Sequence, residues 1–186
     1  MNSNTNKILH IDASRLKSGG GVLHLIKLLE FEKYSDFEKI IVYTYQNSEF
    51  EKFKSQKIII KSHPFINKNI FYQIFWQRYL LKKKISSNHL LFTIDSTSFC
   101  NFKNNVILNQ DLIGFQKGSL KSFSFKNKLV SIIKYLVAKK AIKNSKASIF
   151  TTKYALKEVS KKTGIIKNSV VIPHGIDSEF LTKKIN

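Results

Sequence analysis

The sequence predicts an α/β fold, a Rossmann-like parallel sheet flanked by helices, on three observations. Short apolar runs alternate with segments of helical periodicity along the chain, a rhythm that sets parallel strands beside crossover helices. The strands read as continuous Ile, Val and Leu runs, as expected where both faces of a sheet are covered. No internal repeat or low-complexity linker interrupts the 186 residues. One domain is therefore expected, large enough to bury about 70% of the surface its unfolded chain exposes.

Taken in order, residues 1–6 form a polar leader and Lys7 to Asp12 a short buried strand. Val22, Leu25, Ile26, Leu28 and Leu29 then recur at helical spacing up to Phe31. Lys39 to Thr44 is a β-branched strand, Ser48 to Lys54 a short helix, and Lys57 to Lys61 a strand that stops near His63-Pro64. Asn69 to Lys84 carries Tyr72, Phe75, Trp76, Tyr79 and Leu80 at three- and four-residue steps and reads as an amphipathic helix with an aromatic face. His89 to Thr93 and Asn105 to Asn109 are strands. Phe125 to Lys143 is the longest helix, with Leu129, Ile132, Ile133, Leu136 and Val137 on one stripe and Lys126, Lys139, Lys140 and Lys143 among its polar positions. A strand at Ala147 to Phe150, a helix from Lys153 to Lys162 ended by Gly164, and a strand at Ser169 to Ile172 complete the domain over residues 7–172.

Composition bounds the function. The 42% hydrophobic and 24% charged fractions are those of a globular protein. No run approaches the roughly 18 apolar residues of a membrane-spanning helix, and the first residues lack a basic segment followed by an apolar one. A cytoplasmic protein is expected. The single cysteine, Cys100, excludes an internal disulfide framework and a multi-cysteine zinc site, and reads as a small buried apolar residue. His10, His24, His63 and His89 have no partner at metal-ligand spacing, so structural roles and no metal are expected.

The formal charge of +20 attracts phosphates, whether in nucleic acid, nucleotide sugars or lipid headgroups. Only Arg15 and Arg78 are arginine, whereas nucleic-acid readers draw on arginine for bidentate contacts. Abundant Lys, Ile, Asn and Phe also fit a coding bias, and both readings stand at this point.

Ser18-Gly19-Gly20-Gly21 separates the first strand from the first helix, where open parallel sheets place their ligands. Three glycines permit close backbone approach, and free N–H groups at a helix start favour phosphate or carboxylate. The spacing is neither that of a P-loop nor that of a dinucleotide fingerprint. A structural turn and an anion-facing loop both fit.

Four segments carry a resemblance in one order. Asp12-Ala13-Ser14-Arg15 leading to Gly19-Gly20-Gly21-Val22 resembles the first loop of family-4 glycosyltransferases. Val106 to Phe115, through Asn109-Gln110-Asp111-Leu112, resembles the family's central strand and loop. Ala147 to Ala155, through Thr151-Thr152, resembles its later strand-to-helix step, and Val171-Ile172-Pro173-His174-Gly175-Ile176-Asp177 resembles its domain junction.

The resemblance implies the N-terminal, acceptor-side half of a GT-B fold. It implies glycosyl transfer with retention from a nucleotide-sugar donor, itself a substrate, with no further cofactor and no metal. The acceptor would be a glycan or a lipid-linked glycan, in polysaccharide biosynthesis. Residues 173–186 would begin the interdomain junction, and the donor domain with its Glu-x7-Glu motif would be absent. The chain alone is then expected to be inactive or nearly so, since stabilisation of the departing diphosphate is missing. A C-terminal donor-binding domain or chain is the implied partner.

By the same resemblance, Gly19, Gly20 and Gly21 would carry the loop nearest the donor phosphates or acceptor, with Arg15 beside it. Gln110 falls where many members have a cleft histidine, so roles that depend on imidazole do not transfer. Asp111 would orient an acceptor hydroxyl; as a loop-capping carboxylate it needs no ligand. Thr152 is a site hydroxyl on one reading and a helix N-cap on the other. His174, in the junction, reads as a hinge or packing residue rather than a catalytic one.

Two partner classes remain. The aromatic helix ending Arg78-Tyr79-Leu80-Leu81-Lys82-Lys83-Lys84 has the composition to rest on an anionic membrane, or its aromatic face packs on the sheet. The alternative to an enzyme half is a basic module that binds phosphate or nucleic acid without catalysis. The strands carry no signature of a known RNA-binding module, so nucleic acid is the less expected partner.

Overall fold

The computed structural model describes residues 7–31, 36–110, 112, 115, 123–164, 166 and 168–173. Among them, seven strands form one sheet: β1 (Ile8–Asp12), β2 (Lys39–Tyr43), β3 (Ile58–Lys61), β4 (Leu90–Thr93), β5 (Asn105–Asn109), β6 (Ala147–Phe150) and β7 (Ser169–Val171). The order is β3-β2-β1-β4-β5-β6-β7, and every neighbouring pair is parallel. The α/β Rossmann-like expectation holds. The chain works outward from β1 to β3, then returns to the other side of β1, which leaves a topological switch point between β1 and β4.

The helices are α1 (Gly20–Glu30), α2 (Ile70–Phe75), α3 (Phe125–Asn144) and α4 (Lys153–Thr163). A 3-10 turn, Glu49–Phe53, lies between β2 and β3, and a π-helical turn, Trp76–Leu81, continues α2. Capping explains their ends. Asn69 Oδ1 accepts from the Phe71 and Tyr72 N–H groups, Ser124 Oγ from Asn127, and Thr152 Oγ1 from Ala155 at 2.9 Å. Gly164 stops α4 at φ 83°, a conformation that glycine adopts without a Cβ clash.

Strand alternation divides the core between the two faces of the sheet. Leu9, Ile11, Ile40, Val42, Ile58, Phe92 and Leu108 pack with Val22, Leu25 and Leu29 of α1 and with Phe50 of the 3-10 turn. The intervening Ile41, Tyr43 and Leu91 face the other way and pack with Trp76, Leu81, Cys100 and Phe102. Phe150, on that second face, packs with Ala138 and Ile142 of α3 and Ala155 and Val159 of α4. So α1 covers one face, while α2, its π turn, α3 and α4 share the opposite face. Burial pushes the Cys100 thiol up to about 12, as its reading as a core residue requires.

One helix differs from the sequence reading, and a second, found close to its expected limits, is set on the sheet in a way the sequence did not specify. The expected single helix over 69–84 is an α segment followed by a π turn, which turns Trp76 and Gln77 inward and leaves Phe75 and Tyr79 exposed. In α3 the apolar stripe is turned away from the sheet: Leu129, Ile132, Ile133 and Leu136 are exposed by 53, 45, 50 and 57%. The helix meets the core instead through Tyr135, Ala138 and Ile142. A small residue at Ala138 lets the backbone approach, and periodicity alone reveals a stripe without naming what covers it.

Candidate functional site

The switch point is where the loops after β1 and β4 meet. β1 ends at Asp12, whose Oδ1 accepts from the Ser14 N–H at 3.1 Å and the Ser14 hydroxyl at 2.6 Å. Gln77, from the π turn, donates Nε2 to Asp12 Oδ2 at 2.8 Å, and its Oε1 accepts from the Phe99 N–H at 3.2 Å. The carboxylate is buried, and desolvation raises its pKa against the opposing pull of these donors and Arg15. Its three bonds tie the β1 loop to the helix above it and, through Gln77, to the strap between β4 and β5.

A second tie crosses the switch point directly. Arg15 Nη1 donates to the Thr97 carbonyl at 2.9 Å and to Thr97 Oγ1 at 3.2 Å. The Thr97 hydroxyl donates to Asp95 Oδ2, and the Thr97 N–H donates to Asp95 Oδ1 at 2.9 Å. Asp12, Arg15, Gln77, Thr93 and Asp95 enclose a cavity of about 10 Å³, room for roughly one water. These ties hold the crevice, and the glycine turn follows Asp12 and Arg15 in the chain.

Gly19 sits at φ 86° with no side-chain cap, and the first turn of α1 holds no acidic residue. A methyl group added at Gly19 or Gly20 would meet no heavy atom of the described residues within 4 Å, whereas one at Gly21 would come 2.9 Å from Leu16 Cδ2 and 3.9 Å from Gln110 Oε1. Gly21 is thus the close-approach position that brings the β1 loop and the end of β5 together. The first-turn N–H groups of α1 and its positive dipole end lie at this approach, an arrangement that favours an anion. One residue before Gln110, Asn109 is fully buried, with both amide atoms lacking a hydrogen-bond partner among the described residues. Such orphaned groups cost on the order of 1–3 kcal/mol each and are retained where a site needs them.

Of the residues singled out from sequence, Arg15, Gly19, Gly20, Gly21 and Gln110 lie around this crevice. Thr152 stands at the end of β6, one strand beyond, where its oxygen caps α4. Thr152→Ala should lower stability by about 1 kcal/mol in chemical denaturation, with ligand binding at the crevice unchanged. Asp111 and His174 lie outside the described residues. Sequence reading missed Gln77, Asp95 and Thr97. Their signals were present: Gln73 and Gln77 interrupt an aromatic stripe four residues apart, and Asp95-Ser96-Thr97-Ser98 is a polar run directly after a strand.

Beneath the crevice, His10 occupies the middle of β1, with Nδ1 3.1 Å from Tyr43 Oη and Nε2 3.0 Å from His89 Nδ1. A Tyr43 hydroxyl donating to Nδ1 and an Nε2–H donating to His89 give every atom a complementary role with His10 neutral. Desolvation, then the charges of His89 and Lys61, lower its pKa to about 4. The group is a structural polar link, as expected. Among the described residues no three His, Cys, Asp or Glu side chains gather to hold a metal ion.

A larger cavity, about 300 Å³, lies away from the strand ends. Arg78, Phe99, Asn101, Leu136, Lys140 and Asn144 are among its lining, so it opens between the π turn and α3. Among the described residues no helix is long and apolar enough to cross a membrane. The sequence matches no model of a protein family and no curated protein.

Proposed function

We propose that this chain is the acceptor-binding half of a retaining GT-B glycosyltransferase, moving a sugar from a nucleotide-sugar donor to a glycan or lipid-linked acceptor. The observation that carries the reading is the switch point itself, where Arg15 ties the loops after β1 and β4 together and the uncapped glycine turn of α1 comes close to Gln110 at the end of β5. The crevice at a switch point is where open parallel sheets bind ligands. Its chemistry suits a hydroxylated, phosphate-bearing molecule. The α1 N-terminus and Arg15 attract the anion, Gln110 offers both a donor and an acceptor to hydroxyls, and the Asp12–Gln77 and Arg15–Thr97 ties hold the walls in place. Donor binding and diphosphate stabilisation would fall to the second domain of the GT-B fold.

The test is a titration of isotope-labelled protein with glycan acceptors and nucleotide sugars, read by amide chemical shifts. Acceptor glycans should perturb Arg15, Gly19 to Gly21 and Gln110. Arg15→Ala should weaken that binding about tenfold, the loss of one charge-assisted hydrogen bond. Shifts confined to lysine-rich surfaces, together with tight RNA binding that falls steeply with salt, would replace this reading by the basic binding module.

A further inference from the structure

We propose that the helical face built from α2, its π turn and α3 seats the protein on the surface of an anionic bilayer. Three independent features converge on it. The first is the outward apolar stripe of α3, in which Phe125, Leu129, Ile132, Ile133 and Leu136 are all exposed. At helical spacing Lys140 and Lys143 continue that same stripe toward the C-terminus, both exposed. The second is the neighbouring α2 and π turn, which expose Phe71, Phe75 and Tyr79 four residues apart. Arg78 of that turn and Leu136 and Lys140 of α3 line one groove, so the two apolar surfaces adjoin across it.

The third feature is charge. Residues 52–94 and 112–157 contain no Asp or Glu, and these segments supply α2, the π turn and α3. Glu30, Glu49 and Glu51 lie instead in α1 and the 3-10 turn, which cover the opposite face of the sheet. The molecule is therefore polarised across its sheet, with an apolar surface flanked mainly by lysines on one side, where Glu158 of α4, paired with Lys161, is the acidic residue of the described helices.

That combination selects the occupant. A second copy docked by a two-fold axis would set lysine against lysine around the contact. Nucleic acid would satisfy the lysines and leave the aliphatic stripe in water. A bilayer with anionic headgroups satisfies both: the aliphatic and aromatic side chains enter the headgroup boundary, and the lysines extend to the phosphates. The groove beside Arg78 and Lys140 offers a headgroup phosphate two cations.

The test is flotation of the intact chain with vesicles of phosphatidylcholine, with and without phosphatidylglycerol. Binding is expected to the anionic vesicles, to fall as salt is raised, and to weaken about tenfold or more in Ile133→Ser/Leu136→Ser. Both positions are solvent-exposed, so the variant should keep its circular dichroism and unfolding midpoint. Leu23→Ser, equally exposed on α1 at the opposite face, should bind as the parent does. Equal binding by the double variant, equal binding to neutral vesicles, or loss of binding on Leu23→Ser would overturn the proposal. So would a concentration-dependent dimer that the double variant abolishes while vesicle binding is absent. The assay contains no sugar, so its failure is distinct from failure of the acceptor titration.

Discussion

Asp12→Ala should destabilise the fold by about 3 kcal/mol and loosen the crevice, because it removes the acceptor of three hydrogen bonds at once, from the Ser14 N–H, the Ser14 hydroxyl and Gln77 Nε2, which keeps only its longer bond to Ser14 Oγ. The desolvation cost of the carboxyl is removed in the same step, so the net loss is less than three separate orphaned groups would give. Gln77→Ala should cost about 1–3 kcal/mol, since it strands Asp12 Oδ2 and the Phe99 N–H. The two residues share one bond, so their effects should fail to add by at least about 0.5 kcal/mol in a double-mutant cycle. Urea denaturation of the four proteins measures this, and strict additivity would remove the tie between β1 and the π turn. Acceptor affinity should fall in both single variants, because the turn leading to Gly19 starts from this carboxylate.

Acidification should lower stability through His10. Its folded pKa is about 4 against 6.5 unfolded, so below neutrality the unfolded chain binds the extra proton and is favoured. The contribution is complete above pH 6.5 and lost as pH falls to about 4, amounting to about 3 kcal/mol at about 1.4 kcal/mol per pH unit. Asp12 acts with the opposite sign. Its folded pKa is raised by burial, so its protonated form favours the fold, and that contribution disappears as pH rises through the folded value. The two partly cancel in the parent. His10→Gln isolates the first: the stability difference between parent and variant should shrink by about 3 kcal/mol from pH 7 to pH 4. A difference that is constant with pH would mean that His10 takes up its proton over the same pH range in the folded and the unfolded chain.

Much of the fold was legible because its signals are local. Asn105 to Asn109 and Ala147 to Phe150 are found as strands with the expected limits, since β-branched and apolar runs bounded by polar residues suffice to define them. Gly164 ends α4 as expected, because positive φ is a requirement of the residue itself. The break in the aromatic helix was not legible. A π turn differs from an α turn by one backbone bond register, and that choice is settled by what Trp76 and Gln77 reach: a core cluster for the one, the buried Asp12 for the other.

The candidate site divides in the same way. Arg15, Gly19 to Gly21 and Gln110 stand out in the sequence because each follows a strand, and strand ends gather at one edge of a parallel sheet. Gln77 and Thr97 do not, because their value depends on partners 65 and 82 residues away. Thr152 carries both readings in its sequence, and the 2.9 Å bond from Ala155 assigns its oxygen to the cap.

The sequence by itself determined the element order, the parallel sheet, the glycine turn after β1 and the strongly cationic surface. These follow from periodicity, residue conformation and composition, which act within a few residues or are sums over the chain. The tertiary structure alone decided that β4 returns to the side of β1, that Asp12 is buried among three donors, and that the apolar stripe of α3 points away from the sheet. Each is a question of what lies opposite a side chain. Packing answers it through contacts between residues far apart in the chain, where hydrophobic burial is non-directional and a stripe fits equally well against a core or a partner.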